Sequence, residues 1–78
     1  MSPSQLPVVS GKRVVQALQK AGFALVRVSG SHHLLAMPGN PARAVVVPVH
    51  GNHDLKSGTL RSIVRQSGLT VDAFVALL

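Results

Sequence analysis

The sequence has no cysteine, tryptophan or tyrosine among its 78 residues. Without cysteine there is no disulfide staple and no thiolate metal site, so a folded state has to rest on packing. Glutamate is missing too, and Asp54 and Asp72 are the whole acidic complement. A Ser-His-carboxylate set therefore has almost nothing with which to orient its histidine. No apolar run approaches the ~20 residues of a membrane span. The first ten residues, MSPSQLPVVS, lack the basic start and apolar stretch of a signal peptide, so the expected location is the cytoplasm. Charge is sparse at 13%, against 46% hydrophobic residues. That balance excludes a disordered chain, which combines high charge with low hydrophobicity.

What is present is one-sided. Eight Lys and Arg give a formal charge of +6, and a balance this far from neutral attracts polyanions, either nucleic acid or an acidic protein. The cations run along the whole pattern instead of gathering in a tail. The length suits one small domain, expected over residues 10–78 after an extended lead-in at 1–9 that carries Pro3 and Pro7. A chain of this size buries only ~60% of the surface its unfolded form exposes, so its core must be efficient.

Ser10 is a good N-cap, and Val14, Val15, Leu18 and Ala21 follow along one side of a helix that Gly22 ends. Lys12, Arg13, Gln16, Gln19 and Lys20 make its wet face basic. Residues 23–28, FALVRV, predict a strand, Ser29, Gly30 and Ser31 a turn, and residues 32–37, HHLLAM, a second strand. Turn residues fill 38–41, and the apolar run 44–47 predicts a third strand stopped by Pro48. A loop over 49–58 leads to a helix expected from Thr59 to Ser67, with Leu60, Ile63 and Val64 on its apolar side and Gly68 as its stop. Thr70 caps a short last helix through Val71, Phe74, Val75 and Leu78, where Asp72 complements the helix dipole. The order α-β-β-β-α-α predicts a small two-layer α+β sandwich, a three-stranded antiparallel sheet covered by helices on one face.

Four histidines stand out, as the pair His32 and His33 and the pair His50 and His53. Consecutive strand residues point to opposite faces, so His32 and His33 cannot both serve one site unless the strand is irregular. An imidazole near neutral pH moves a proton in either direction, which is what cleavage of RNA by its own 2′-hydroxyl needs, with cations to hold the phosphate. The bland alternative is a polar strand residue after a turn. Zinc could use the same histidines, but the loop is glycine-rich and no glutamate is available as ligand or base. Arg61 and Arg65 share a helix face at i, i+4 with Lys56 just before them. Such repulsion makes sense where phosphates or acidic side chains arrive from outside, and is otherwise a solvated face. Gly51, Asn52, Ser57 and Gly58 lie near a helix start and offer a phosphate site, but the order GxxxxGK[ST] is missing, so nucleotide hydrolysis has little support.

The runs GFALVRVSGSHH at 22–33, VVVPVHGN at 45–52 and DLKxGTLRxI at 54–63, with x at Ser57 and Ser62, together resemble the HicA family of toxins from bacterial toxin-antitoxin systems. The resemblance covers the chain from about residue 8 to its end. It implies a fold like that of the double-stranded-RNA-binding domain, and metal-independent endoribonuclease action on single-stranded mRNA that inhibits translation and growth. It also implies an inhibiting HicB antitoxin, no small-molecule cofactor and no membrane. The family's catalytic histidine is the first after the turn, here His32, presented by Gly30 and Ser31, with His33 as a possible assistant. Arg27, Lys56, Arg61 and Arg65 are the expected RNA contacts. The chain departs from the family in two places: Leu34, Leu35, Ala36 and Met37 stand where an aromatic and basic residues are common, and Ser57 stands where proline is usual. The rival function is a non-catalytic RNA-binding module that acts by occupancy, and a metal-dependent nuclease is a third.

Overall fold

In the computed structural model, residues 5–78 are described, and residues 1–4 of the expected lead-in lie outside them. Helix α1 spans Gly11–Lys20. The Ser10 hydroxyl accepts from the Arg13 amide at 3.3 Å, satisfying one of the N–H groups that a helix start leaves without partners. At the other end Gly22 takes φ +106°. Its N–H donates to the Gln19 carbonyl and that of Phe23 to the Leu18 carbonyl, both at 3.0 Å, the paired bonds of a Schellman stop. Val14, Val15, Ala17 and Leu18 are buried on one side.

Strands β1 (Ala24–Ser29), β2 (His32–Met37) and β3 (Asn40–Pro48) form one antiparallel sheet in the order β1-β2-β3. Two irregularities set its faces. In β1 the register slips by one residue between Leu25 and Arg27, so Val26 is a bulge and Arg27 stands opposite Leu34. In β3 the pairing jumps from Asn40 opposite Met37 to Ala44 opposite Ala36. Pro41 sits in that interval, and a proline has no N–H to give a ladder. The third strand thus begins at Asn40 and not at Ala44, because the tight turn needs only Pro38 and Gly39, the latter at φ +82°.

Helix α2 runs Ser57–Ser67 and α3 runs Val71–Val75. The start of α2 lies two residues ahead of the expected Thr59. Ser57 is its first residue and Lys56 its N-cap, so the residue in the family's proline position occupies the place where a helix tolerates proline best. Gly68 closes α2 at φ +78°, and Thr70 caps α3 by accepting from the Ala73 amide at 3.0 Å. The helices pack chiefly on β3 and β2. Leu35, Val45 and Val47 of the sheet are fully buried against Leu18, Leu60, Ile63, Val64 and Phe74. Each such side chain contributes about 1.5–3 kcal/mol on leaving water. The single buried polar side chain among the described residues, Ser67, is satisfied within its own turn: its hydroxyl donates to the Val64 carbonyl at 2.6 Å and accepts from the Leu69 amide. The result is the expected α+β arrangement, like that of a double-stranded-RNA-binding domain, with helices on one face and the other face of the sheet open.

Candidate nucleic-acid interface

Residues directly opposite one another in a sheet share a face. Leu35 and Val45 define the helix-covered face, and with them go Val47, its partner His33, and Val28. His32, Ser29, Pro48, Leu34, Val46 and Arg27 belong to the open face. The two adjacent histidines are therefore divided between the two faces, as strand alternation requires. His32 is exposed and His33 half-buried. Arg27 is two residues from Ser29, the partner of His32, and so shares its face; the bulge at Val26 is what turns Leu25, two residues from Arg27, to the covered face instead. Arg27 lies diagonally from His32 across β1 and β2, a separation of roughly 7–8 Å between positions of this kind.

His32 also stands where several segments converge. The Ser31 carbonyl accepts from the Val49 amide at 2.7 Å, so the β1–β2 turn is tied to the exit of β3. Gly11, the first residue of α1, is so close to Pro48 that a Cβ there would meet the Pro48 carbonyl oxygen. The loop after β3 is tied back to the N-terminal side of α1 by a bond of 2.9 Å from the Leu55 amide to the Val9 carbonyl. Gly30 takes φ +59°, a left-handed conformation in which glycine is at home. The turn, the start of α1, the 49–56 loop and the start of α2 thus meet at one end of the sheet. His50, His53, Asp54, Lys56, Thr59 and Pro48 line an open cleft of about 330 Å³ there. The N-terminus of α2 has no side-chain cap, unlike those of α1 and α3. All four histidines are at this end, a convergence that spacing along the chain could not reveal.

The expected cations are divided. Arg27 shares the open sheet face with His32, and Lys56 lies in the cleft beside the exit of β3. Arg61 and Arg65 lie one and two turns further along α2, both exposed on the helical layer and away from the open sheet face. Lys12, at the start of α1, shares a second cleft with His33 and Val49, and was not among the expected site residues. Its signal in the sequence was only that it opens the basic face of α1. Among the described residues no group of three or more His, Cys, Asp or Glu side chains is placed to hold a metal ion, and no helix is long and apolar enough to cross a membrane.

The family described as HicA toxin of bacterial toxin-antitoxin matches residues 11–69, most of the chain. The chain belongs to the HicA toxin family. No curated protein matches it. The match begins at the first residue of α1 and ends just after Gly68 closes α2, so it takes in the sheet, both clefts and all four histidines. As a HicA-family toxin it belongs to a toxin-antitoxin system, and membership implies a cognate antitoxin as its partner. The departures of the second strand from the family pattern sort by face: Leu35 is a wholly buried core residue, while Leu34 lies on the open face beside Arg27.

Proposed function

We propose that this toxin is a metal-independent endoribonuclease that cuts single-stranded mRNA in the cytoplasm, with His32 as its general acid/base, and so halts translation and growth. The observation that carries the reading is the position of His32 in a chain of this family: exposed, on the open sheet face, at the end where Arg27 and the 49–56 loop converge. RNA supplies its own nucleophile. The imidazole takes the proton of the 2′-hydroxyl, and the 2′ oxygen attacks the adjacent phosphorus as its bond to the 5′ oxygen breaks. The imidazolium then returns the proton to the leaving oxygen, giving a 2′,3′-cyclic phosphate and a 5′-hydroxyl. Gly30 and Ser31 present His32. His33, on the other face, assists in holding the substrate rather than in moving this proton.

Arg27 and Lys56 are the phosphate contacts beside the cut, where fixed cations stabilise the charge that develops on phosphorus. Arg61 and Arg65 take the backbone further along. The same cationic surface takes the carboxylates of a HicB-type antitoxin, whose seat there excludes RNA. The chemistry needs no cofactor.

The test is incubation of wild type and His32→Ala with labelled single-stranded RNA in EDTA. The wild type shortens the RNA, and His32→Ala binds it with cleavage reduced about 10²–10⁴-fold, the usual contribution of a positioned acid/base. Undiminished cleavage by the variant overturns the assignment. RNA that wild type shifts without shortening marks a binding module that acts by occupancy, and cleavage that EDTA stops marks a metal-dependent nuclease.

A further inference from the structure

Proteins that hold single-stranded RNA usually stack its bases on exposed aromatic rings. This chain has two phenyl rings, Phe23 and Phe74, and both are buried, at 3% and 0% exposure. The remaining flat surfaces are imidazole and guanidinium. One imidazole lies in a pocket. Because the helices pack chiefly on β3 and β2, the helix-side face of β1 is left uncovered, and a cleft of about 240 Å³ opens between α1 and the sheet. Its floor is apolar, from Val15, Leu25 and Val49, and its polar groups are His33, the amides of Gln16 and Gln19, and the ammonium of Lys12. The Nδ1 atom of His33, a residue that lines this cleft, is buried without a hydrogen-bond partner, the only such side-chain atom among the described residues. A buried polar atom left so is costly, and a functional role is one of the explanations for it.

The chemistry of the cleft is narrow. It is smaller than the roughly 300–1,000 Å³ of pockets that hold drug-sized molecules, which limits its occupant to about one ring system. Two primary amides each offer donors beside an acceptor, the pattern that pairs with the edge of a nucleobase. A flat imidazole and aliphatic side chains give the base faces to lie against. With a single cation, the cleft suits a neutral ring joined to one phosphate better than an acidic peptide. It is also next to the proposed chemistry, because His33 follows His32 directly and consecutive Cα atoms are ~3.8 Å apart. The sheet ends there at the Gly30 and Ser31 turn, so a nucleotide can pass from one face to the other around its margin.

We propose that this cleft binds the base of a nucleotide adjacent to the cut bond, and that Gln16, Gln19 and His33 decide which base is accepted while Lys12 takes its phosphate. The proposal rests on the ribonuclease reading and adds to it a sequence preference located on the helix-covered side of the sheet. Gln16 and Gln19 are exposed on α1, and alanine there is a better helix former than glutamine, so their substitution leaves the fold in place.

The decisive experiment has two arms. In the first, wild type, Gln16→Ala, Gln19→Ala and the double variant cut a pool of short RNAs randomised at the positions flanking one site. Wild type favours a base at one flanking position, and the double variant loses about tenfold or more of that preference, so that its rates on favoured and disfavoured sequences converge. A preference unchanged in the double variant overturns the proposal, and does so equally if that variant loses only its grip on the antitoxin, which would make the cleft a protein-docking surface. In the second arm, ¹⁵N-labelled His32→Ala protein is titrated with each of the four nucleoside 5′-monophosphates. Shifts confined to Lys12, Gln16, Gln19 and His33, with unequal affinities among the four, support the proposal. Absence of shifts at millimolar nucleotide overturns it. Because the second arm needs no cleavage, failure of the ribonuclease reading and failure of this one are told apart.

Discussion

Strands β1 and β3 flank the same central strand, yet only one of them is part of the core. In β3, Val45 and Val47 are wholly buried while Ala44 and Val46 are exposed, the clean alternation of a sheet covered on one face. In β1 all six residues are exposed, with Leu25, Val26 and Val28 at 40%, 61% and 53%. The two strands differ little in apolar content. What separates them is where the helices land: α2 lies on β3, α1 bridges β3 and β2, and the helix-side face of β1 is left to form the wall of a cleft. One edge of the sheet is spent on stability, and the other is free to contact a partner.

The sharpest way to break this contrast is to put a charge on each edge. Val47→Asp would bury a carboxylate among aliphatic side chains with no partner, and the expected result is loss of the folded state in circular dichroism at room temperature. Val28→Asp, at an exposed position on the same face, should change stability by no more than about 0.5 kcal/mol. Similar losses from both would mean that β1 is covered in solution. A gentler version compares the paired leucines of the two strands β2 and β1. Leu35→Ala empties a wholly buried site and should cost about 2–5 kcal/mol in a urea titration. Leu25→Ala, its cross-strand partner, is expected to cost less than about 1 kcal/mol, because Leu25 already keeps 40% of its surface in water.

A smaller effect tests the junction that ties the covered edge to the site. A Cβ on Gly11 would collide with the backbone carbonyl of Pro48, and backbone cannot step aside as a side chain does. Gly11→Ala should cost about 1–3 kcal/mol, as other overpacking changes do. It should also disturb the amide signals of Ser31 and Val49, whose hydrogen bond lies beside the contact. A spectrum altered only within α1 would show that the helix start and the end of β3 are not coupled in this way.

Much of this architecture is legible in the chain, and what is hidden has identifiable causes. Ser10 and Thr70 announce α1 and α3 because a hydroxyl at an N-cap is a local matter, settled within three residues. The division of His32 and His33 between faces comes from alternation alone. The start of α2 is concealed because Ser57 and Gly58 have the composition of a loop. In the first turn of a helix, however, the backbone N–H groups are unpaired in any case, and the apolar positions Leu60, Ile63 and Val64 hold that turn in place. The bulge at Val26 leaves no mark in the sequence, since a valine in a bulge is indistinguishable from a valine in a strand. It is nevertheless what lets Leu25 face the helices while Arg27, two residues on, faces away from them. The gathering of four histidines and the His33 cleft depend on tertiary contacts, chiefly Gly11 against Pro48 and Val49 against Ser31, which no local pattern encodes.

The smallest expected effects concern the cations, and they compare the open sheet face with the helical layer. If the cut takes place at His32, Arg27 acts where charge develops and Arg65 acts only on backbone at a distance. Arg65→Ala should weaken RNA binding a few-fold and leave the single-turnover cleavage rate at saturating protein unchanged. The slope of log affinity against log salt should fall by about 0.7 for each phosphate of a single strand that is no longer neutralised. Arg27→Ala should change the salt dependence by a similar amount but also lower that single-turnover rate, because a cation at the reacting phosphate stabilises the transition state more than the bound ground state. The discriminating quantity is the rate at saturation, since both variants bind less tightly. An equal rate for the two variants would remove Arg27 from the reacting phosphate.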